Sequence, residues 1–527
     1  MTRLSSDTSA WRRTGLVVAG MFLWLAATAW IRPLTAPDEG RYVGVAFEML
    51  RSGDWLVPRL DGLPFFHKPP LFYWIGAAAM SVLGPTEWAG RLPSLLGATI
   101  AAAGLWLFLR RWADEACARL SAVVLLSMPF FYVGAQFANL DMLVAGCISA
   151  TVLLAADATL SKERGAGWRR ALAGAFLFAA LGVLAKGLIG FVLPGLVFVV
   201  WCVATGRPRA LRLMAWPPGW ALFVLLAGPW FVAMQMRYPA FFDYFVVTQH
   251  FRRFAASGFN NEHPFWFYLP VIAVLTLPWF GWLAIAHWKA RKAPPPWSDV
   301  DWLMGLWCLC IVAFFSLPRS KLIGYVLPAL PPLACLVARS ALAAVRGAAR
   351  GTIGLRWTIG LAALACGASI ALIAAYGTPP DARLSLPAGQ TVGPHDEVLM
   401  LDTYAYDIPF YWRLQRPVTV WGDWSPALLD SRDDWRKELH DAGRFEPVLG
   451  ARLLTGRGAA QTSLCLSAPT WVVGASNSQR AHPWLAKLQL AAYNPWLAVW
   501  RFAGTADGSA QCFETASDGA MPAPATP

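Results

Sequence analysis

The chain has 527 residues, 57% of them hydrophobic and only 14% charged, with a net charge of +13 and a mean hydropathy of +0.45. Soluble domains carry about 25% charged residues, so the composition excludes an ordinary soluble enzyme and indicates a polytopic membrane protein. The positive excess forms no basic low-complexity arm and accompanies no RNA-binding signature, which argues against nucleic acid as a partner.

In chain order, the first apolar run, 14–31, follows Arg12 and Arg13 and has no small-residue cleavage site after it, so it reads as an uncleaved signal anchor. A polar loop over 32–89 comes next, and contains a second apolar run at 69–84 that is short and begins with two prolines. Runs of roughly 17–25 apolar residues, enough for a bilayer core, recur near 90–109, 117–134, 139–157, 170–184, 187–204, 213–236, 266–287, 301–317, 321–339 and 357–376. If 69–84 does not span, twenty Lys and Arg, from Arg3 to Arg356, fall on the cytoplasmic side. The positive-inside rule favours that solution. It gives eleven spans (up to thirteen if helices are split or missed), an inside N-terminus and an outside C-terminus. The run at 69–84 is then a juxtamembrane or re-entrant helix.

Beyond 377 the pattern changes to short β-like runs, such as "TWVVGAS" and "LAVWRFAG", around an amphipathic helical stretch, "SPALLDSRDDWRKELHDAG". The expected architecture is therefore a transmembrane domain over 1–377, a small periplasmic α/β domain over 378–513 and a disordered tail over 514–527. Seven of nine cysteines lie in apolar segments, while Cys465 and Cys512 lie in the polar part and are available for a disulfide if that part is extracytoplasmic.

This topology sorts the unusual polar residues by side. Asp38, Glu39, Arg41 and Tyr42 directly follow the first span, and His67 and Lys68 belong to the same loop. Asp141 begins a span, Lys186 lies at an outer turn, and the loop 237–265 carries Arg253, Glu262 and His263. Arg319, Lys321 and Tyr325 occupy another outer turn. Charge at membrane depth costs about 2.5–3.5 kcal/mol on insertion scales. Singly, Asp38 and Asp141 have a bland role as helix N-caps, and Lys186 and Lys321 as snorkelling lysines. Their gathering on one face has no such explanation. Carboxylates supply acids or bases, and Lys and Arg suit phosphate oxygens.

The stretch "PDEGRYVGVAFEMLRSGDWLVPRLDGLPFFHKPPLFYW", followed in order by "ANLDML", "LAKGLIG", "HFRRF", "HPFWFYLP" and "RSKLIGYVLP", resembles the bacterial lipid A aminoarabinose transferase family over most of residues 14–345. More distantly the chain resembles the protein O-mannosyltransferases, which share the GT-C architecture. The resemblance implies a polytopic α-helical GT-C glycosyltransferase that takes a sugar from a polyprenyl (undecaprenyl) phosphate within the membrane lipid and passes it to a periplasmic acceptor such as lipid A. It implies Asp38 as the leading catalytic carboxylate with Glu39 beside it, and Asp141 as a second functional acid. Arg41, Tyr42, Lys68, Lys186, Arg253, Lys321 and Tyr325 become candidates for the substrate and its phosphate. In that family a Glu before Lys-Pro binds zinc together with a His of the long loop. Here those positions are His67 and Asn261, followed by Glu262 and His263. Either the pair is re-formed in swapped order, His67 with Glu262 or His263, or the metal is absent. Two rival readings remain at this stage. One is transfer onto protein or another glycan; the other is a lipid or sugar-lipid transporter, which would favour mid-span charges and repeated halves.

Overall fold

The computed structural model describes residues 2–252, 261–290, 297–345, 349–377, 386–387, 390–429, 434–459, 464–505 and 509–513. Six of the described helices are long and apolar enough to cross a membrane: Glu87–Trp112, Leu140–Glu163, Pro217–Arg237, Asp299–Ser316, Ile323–Val345 and Gly351–Tyr376. The apolar segments 117–134 and 266–287 are helical but broken. Glu115–Leu126 and Pro129–Ala135 meet at 66°, because Pro129 has no N–H to continue the ladder. Pro278 separates Tyr268–Leu275 from Gly281–Ala290 in the same way. Ile189–Ala204 and Leu71–Leu83 are shorter apolar helices. The thirteen residues of Leu71–Leu83 reach about 20 Å against a bilayer core of about 30 Å, so this helix does not cross by itself. Lipid-facing helices carry their apolar side chains outward: Leu361, Leu364 and Leu372 are all exposed.

The bundle is drawn together by small residues. Helices Glu87–Trp112 and Leu140–Glu163 cross so closely at Gly97 and Gly146 that a Cβ on either would overlap the backbone of the other. In a membrane, where apolar side chains gain nothing by leaving water, such close backbone contact supplies much of the attraction. Gly146→Leu is expected to cost about 2 kcal/mol or more by overpacking, read as a lower unfolding temperature of the detergent-solubilised protein.

The C-terminal part is an α/β domain. Leu454–Arg457, Thr419–Asp423, Glu397–Leu401 and Thr470–Ala475 form a parallel sheet in that order, extended by antiparallel Leu497–Phe502 and Gln489–Tyr493. Cys465 and Cys512 are joined by a disulfide across a second small sheet, Leu464–Leu466 with Gln511–Phe513. The order of the large sheet reverses on either side of Glu397–Leu401, and the crevice at the carboxyl end of such a strand is where open α/β sheets bind. Here the loop leaving that strand, 402–407, lies on the membrane domain. Gly40 and Gly44, one helical turn apart, make room for it: a Cβ at Gly40 would come within 2.9 Å of Asp407 Cβ, and one at Gly44 within 3.2 Å of the Tyr406 carbonyl. Arg59 pairs with Glu446 at 2.9 Å, Arg51 donates to the Leu414 carbonyl at 2.7 Å, and Asp61 accepts from the Val418 amide at 2.8 Å. One continuous apolar core runs through both domains.

Candidate active site

The loop helix Asp38–Ser52 positions the first group of residues. Its first turn holds Asp38 and Glu39, which favour the positive end of the helix dipole. Gly53 ends it in a left-handed conformation (φ 70°), its amide closing on the Met49 carbonyl. A tight hairpin, Arg59–Leu60 with Leu63–Pro64, turns on Asp61 and Gly62, both at positive φ. It carries His67 and Lys68 back toward the loop helix, and Pro69-Pro70 then start Leu71–Leu83.

Adjacent acids receive opposite environments. Glu39 is fully buried. Its carboxylate accepts from Arg32, from Arg91 at 2.9 and 3.1 Å, and from the backbone amides of Thr35 (2.9 Å) and Ala138 (2.8 Å). Burial alone would push its pKa up, but Arg91 and Arg32 outweigh that and hold it down at about 2. Asp38 points the other way, is 40% exposed, and makes an ion pair with Arg41. Arg41 also pairs with Glu438, from the C-terminal domain's helix Trp435–Gly443. Glu438 accepts at 2.6 Å from the Tyr406 hydroxyl as well. Burial works against the Arg41 charge, but Glu438, the tyrosines Tyr42 and Tyr406, and Asp38 more than offset it, so its pKa is raised.

Asp141 heads the span Leu140–Glu163, with Asn139 as its side-chain cap at 2.8 Å. The Asp141 carboxylate is buried in an ion pair with Lys186, whose ammonium also sits 4.6 Å over the Tyr325 ring. Gly324 lies against that carboxylate, where a Cβ would stand 2.8 Å from Oδ2. Tyr42 links the two groups. Burial raises its hydroxyl pKa, Arg41 lowers it, and Asp38, Asp141 and Glu438 all raise it further, so these carboxylates share one electrostatic environment.

Other sequence candidates are engaged elsewhere. The Lys321 ammonium is buried and donates to the carbonyls of Pro318 and His263 (2.9 Å), which locks its turn rather than offering a charge to a ligand. Lys68 is half-buried beside His67. Arg253 lies outside the described residues.

Among the described residues no three His, Cys, Asp or Glu side chains lie together as metal ligands. His67 is buried, stacked on Phe65 at 4.6 Å, with Nδ1 3.9 Å from Glu438. Glu262 is exposed and bridged to Ser320, and the His263 ring stacks on Phe267 at 4.0 Å. The backbone of 261–263 is tied to 319–321 instead. Glu438, near His67, is ion-paired with Arg41. Arg32, Arg91, Tyr406 and Glu438 are the structural partners that sequence reasoning did not single out.

This bundle, with its loop helix and appended α/β domain, is a GT-C membrane fold. It is similar to the crystal structure of ArnT from Cupriavidus metallidurans bound to undecaprenyl phosphate, with a TM-score of 0.74 and 22% identity over 92% of this chain and 97% of that one. An archaeal oligosaccharyltransferase, AglB from Archaeoglobus fulgidus, aligns at a TM-score of 0.51 and 13% identity over 90% and 70% of the two chains. Residues 67–233 match the profile of the dolichyl-phosphate-mannose-protein mannosyltransferase family. The undecaprenyl phosphate-alpha-4-amino-4-deoxy-L-arabinose arabinosyl transferase of Aeromonas salmonicida is 34% identical over 352 residues, 65% of this chain and 62% of that protein. Its namesake in Erwinia tasmaniensis is 34% identical over 312 residues, 58% of this chain and 55% of that protein. The chain is thus related to the aminoarabinose transferases, as the first-loop motifs led one to expect, and spans 55–62% of the length of these two curated relatives.

Proposed function

We propose that this protein is an integral membrane glycosyltransferase that moves a sugar from undecaprenyl phosphate to lipid A or another acceptor on the periplasmic face of the bacterial inner membrane, with inversion. The observation that carries the reading is the different setting of the three candidate acids at one end of the bundle. Glu39 is enclosed by two arginines, Asp141 is buried against Lys186, and Asp38 alone is open to a ligand. The similarity to proteins named for undecaprenyl-phosphate-linked aminoarabinose supports the donor class, and the Cys465–Cys512 disulfide supports an oxidising compartment for the C-terminal domain.

The chemistry follows from the donor. The anomeric carbon already carries a phosphate leaving group, so one displacement forms the new C–O bond as the C–O bond to phosphate breaks, and polyprenyl phosphate departs. If the acceptor is a hydroxyl, Asp38 takes its proton. If it is a phosphate, no proton moves, and Asp38 orients the acceptor and stabilises positive charge at the sugar. The departing phosphate needs cations, for which Lys68 and Arg253 are the proposed pair. Lys186 stays with Asp141 and aligns it. Glu39 organises the loop rather than reacting.

The test is direct. Purified protein is incubated with undecaprenyl-phosphate sugars, aminoarabinose first, and with lipid A, peptide or glycan acceptors, and product is read by mass spectrometry. Transfer to lipid A supports the full reading, and transfer only to peptide or glycan replaces the acceptor. No transfer from any donor overturns the proposal.

A further inference from the structure

The C-terminal domain contributes to the site itself. Helix Trp435–Gly443 begins with Asp434 as its side-chain cap, at 2.9 Å from the Arg436 amide, and turns Glu438 inward, 397 positions from the arginine it meets. Glu438 is buried, receives the Tyr406 hydroxyl at 2.6 Å and pairs with Arg41. The two terminal nitrogens of Arg41 are thereby divided: one donates to Glu438 and the other to Asp38. Both terminal nitrogens of Arg41 thus already serve acids, which competes with the paired N–H grip an arginine ordinarily gives a phosphate.

We propose that Glu438, held by Tyr406, is a positioning residue that shares the Arg41 charge and so keeps Asp38 both oriented and reactive. The idea rests on the transferase reading above. A single arginine paired only with Asp38 would neutralise that carboxylate and weaken it as a proton acceptor, since an adjacent cation favours the ionised form. With Glu438 present, the two acids and one guanidinium carry a net negative charge, and Asp38 retains its share. The α/β domain therefore completes the catalytic constellation through Glu438 of helix Trp435–Gly443 and Tyr406 of the loop at the carboxyl end of its strand Glu397–Leu401.

The experiment uses the full-length protein in detergent. Glu438→Gln should lower kcat about tenfold or more while leaving the donor KM within about threefold. Tyr406→Phe, which loses one hydrogen bond and no charge, should show the same pattern more weakly. Glu446→Gln removes a different ion pair of the same domain interface, that with Arg59, and should keep near-normal kcat. In parallel, modification of Arg41 by phenylglyoxal, read by peptide mass spectrometry, should be slow in the wild type and faster in Glu438→Gln. Unchanged kcat in Glu438→Gln overturns the proposal. So does a lower donor KM with kcat retained, which would make Arg41 a phosphate clamp, and so does an equal loss in Glu446→Gln, which would make the effect one of docking alone. If the wild type transfers nothing, the transferase reading falls, and the Arg41 modification rates then decide the positioning claim: equal rates overturn it.

Discussion

Asp38→Asn is expected to reduce turnover by about a thousandfold while leaving the fold and lipid binding in place. The substitution keeps size and shape, and the amide oxygen still accepts from Arg41 at the first turn of the loop helix. What it loses is the charge and the ability to take a proton. Because Asp38 is partly exposed and holds no backbone amide of another segment among the described contacts, its removal disturbs no packing, and the unfolding temperature should stay within a few degrees of wild type. The measurement is kcat with saturating donor and acceptor, beside a titration of undecaprenyl phosphate against intrinsic fluorescence. Turnover like that of the wild type would remove Asp38 from the mechanism. If only turnover falls, the loss is of an interaction made in the transition state, since loss of uniform binding would raise KM instead. The outcome also reports the acceptor chemistry. A hydroxyl acceptor needs Asp38 as base and should show the full loss, whereas a phosphate acceptor, already ionised, should retain more of the rate.

Much of this arrangement was readable in advance, and what escaped did so for identifiable reasons. "DEGRY" after a hydrocarbon run marks charged residues at a membrane surface, and the twenty basic residues that the positive-inside rule assigns to the cytoplasm are the basis for expecting them on the other side. Asp141 and Lys186 came from the same logic and do meet. Glu438 escaped because "DWRKELHDAG" has the charge pattern of a solvated helix face, and only the docking of a domain hundreds of residues downstream turns one of its acids inward, where Tyr406 meets it. Arg91 does carry a local signal: it stands in the otherwise apolar "WAGRLPSLLG", and an arginine in such a run is buried with a partner or near a headgroup. The Asp61-Gly62 pair is likewise a hairpin signature that a scan for spans passes over. Lys321 resembled a ligand cation in sequence, but the direction of its ammonium, toward three carbonyls of its own turn and of 263, is set by tertiary pairing with 261–263. The same pairing bridges Glu262 to Ser320 and ties the His263 amide to the Arg319 carbonyl. Proline explains the broken helices, which hydropathy alone reads as continuous spans.

Glu39→Gln is expected to destabilise the protein by about 3–5 kcal/mol, the usual result of removing one partner from a buried ionic network, while sparing the chemistry of the molecules that remain folded. Two buried guanidinium groups would keep their charge and lose the carboxylate that compensates them. Arg91 would still reach the carbonyls of Ala29 (2.6 Å), Arg32 (2.9 Å) and Pro33 (2.7 Å), and Arg32 that of Gln136 (2.7 Å), so the network would loosen rather than disperse. The pH dependence has a definite sign. The folded-state pKa of Glu39 is depressed to about 2, below the unfolded value of about 4.3. Its stabilisation is therefore fully present above pH 4.3 or so and fades as the pH falls from there toward 2. The wild type should accordingly lose more stability than Glu39→Gln across that acid window, and the two unfolding curves should converge at its lower end. Thermal unfolding in detergent between pH 2.5 and 7 measures this, and parallel curves would show that Glu39 does not hold the arginines in the way its contacts require. Turnover per folded molecule separates the two neighbouring acids: a near-normal value assigns Glu39 to architecture and leaves reactivity to Asp38, while a loss as large as that of Asp38→Asn would return Glu39 to the reaction.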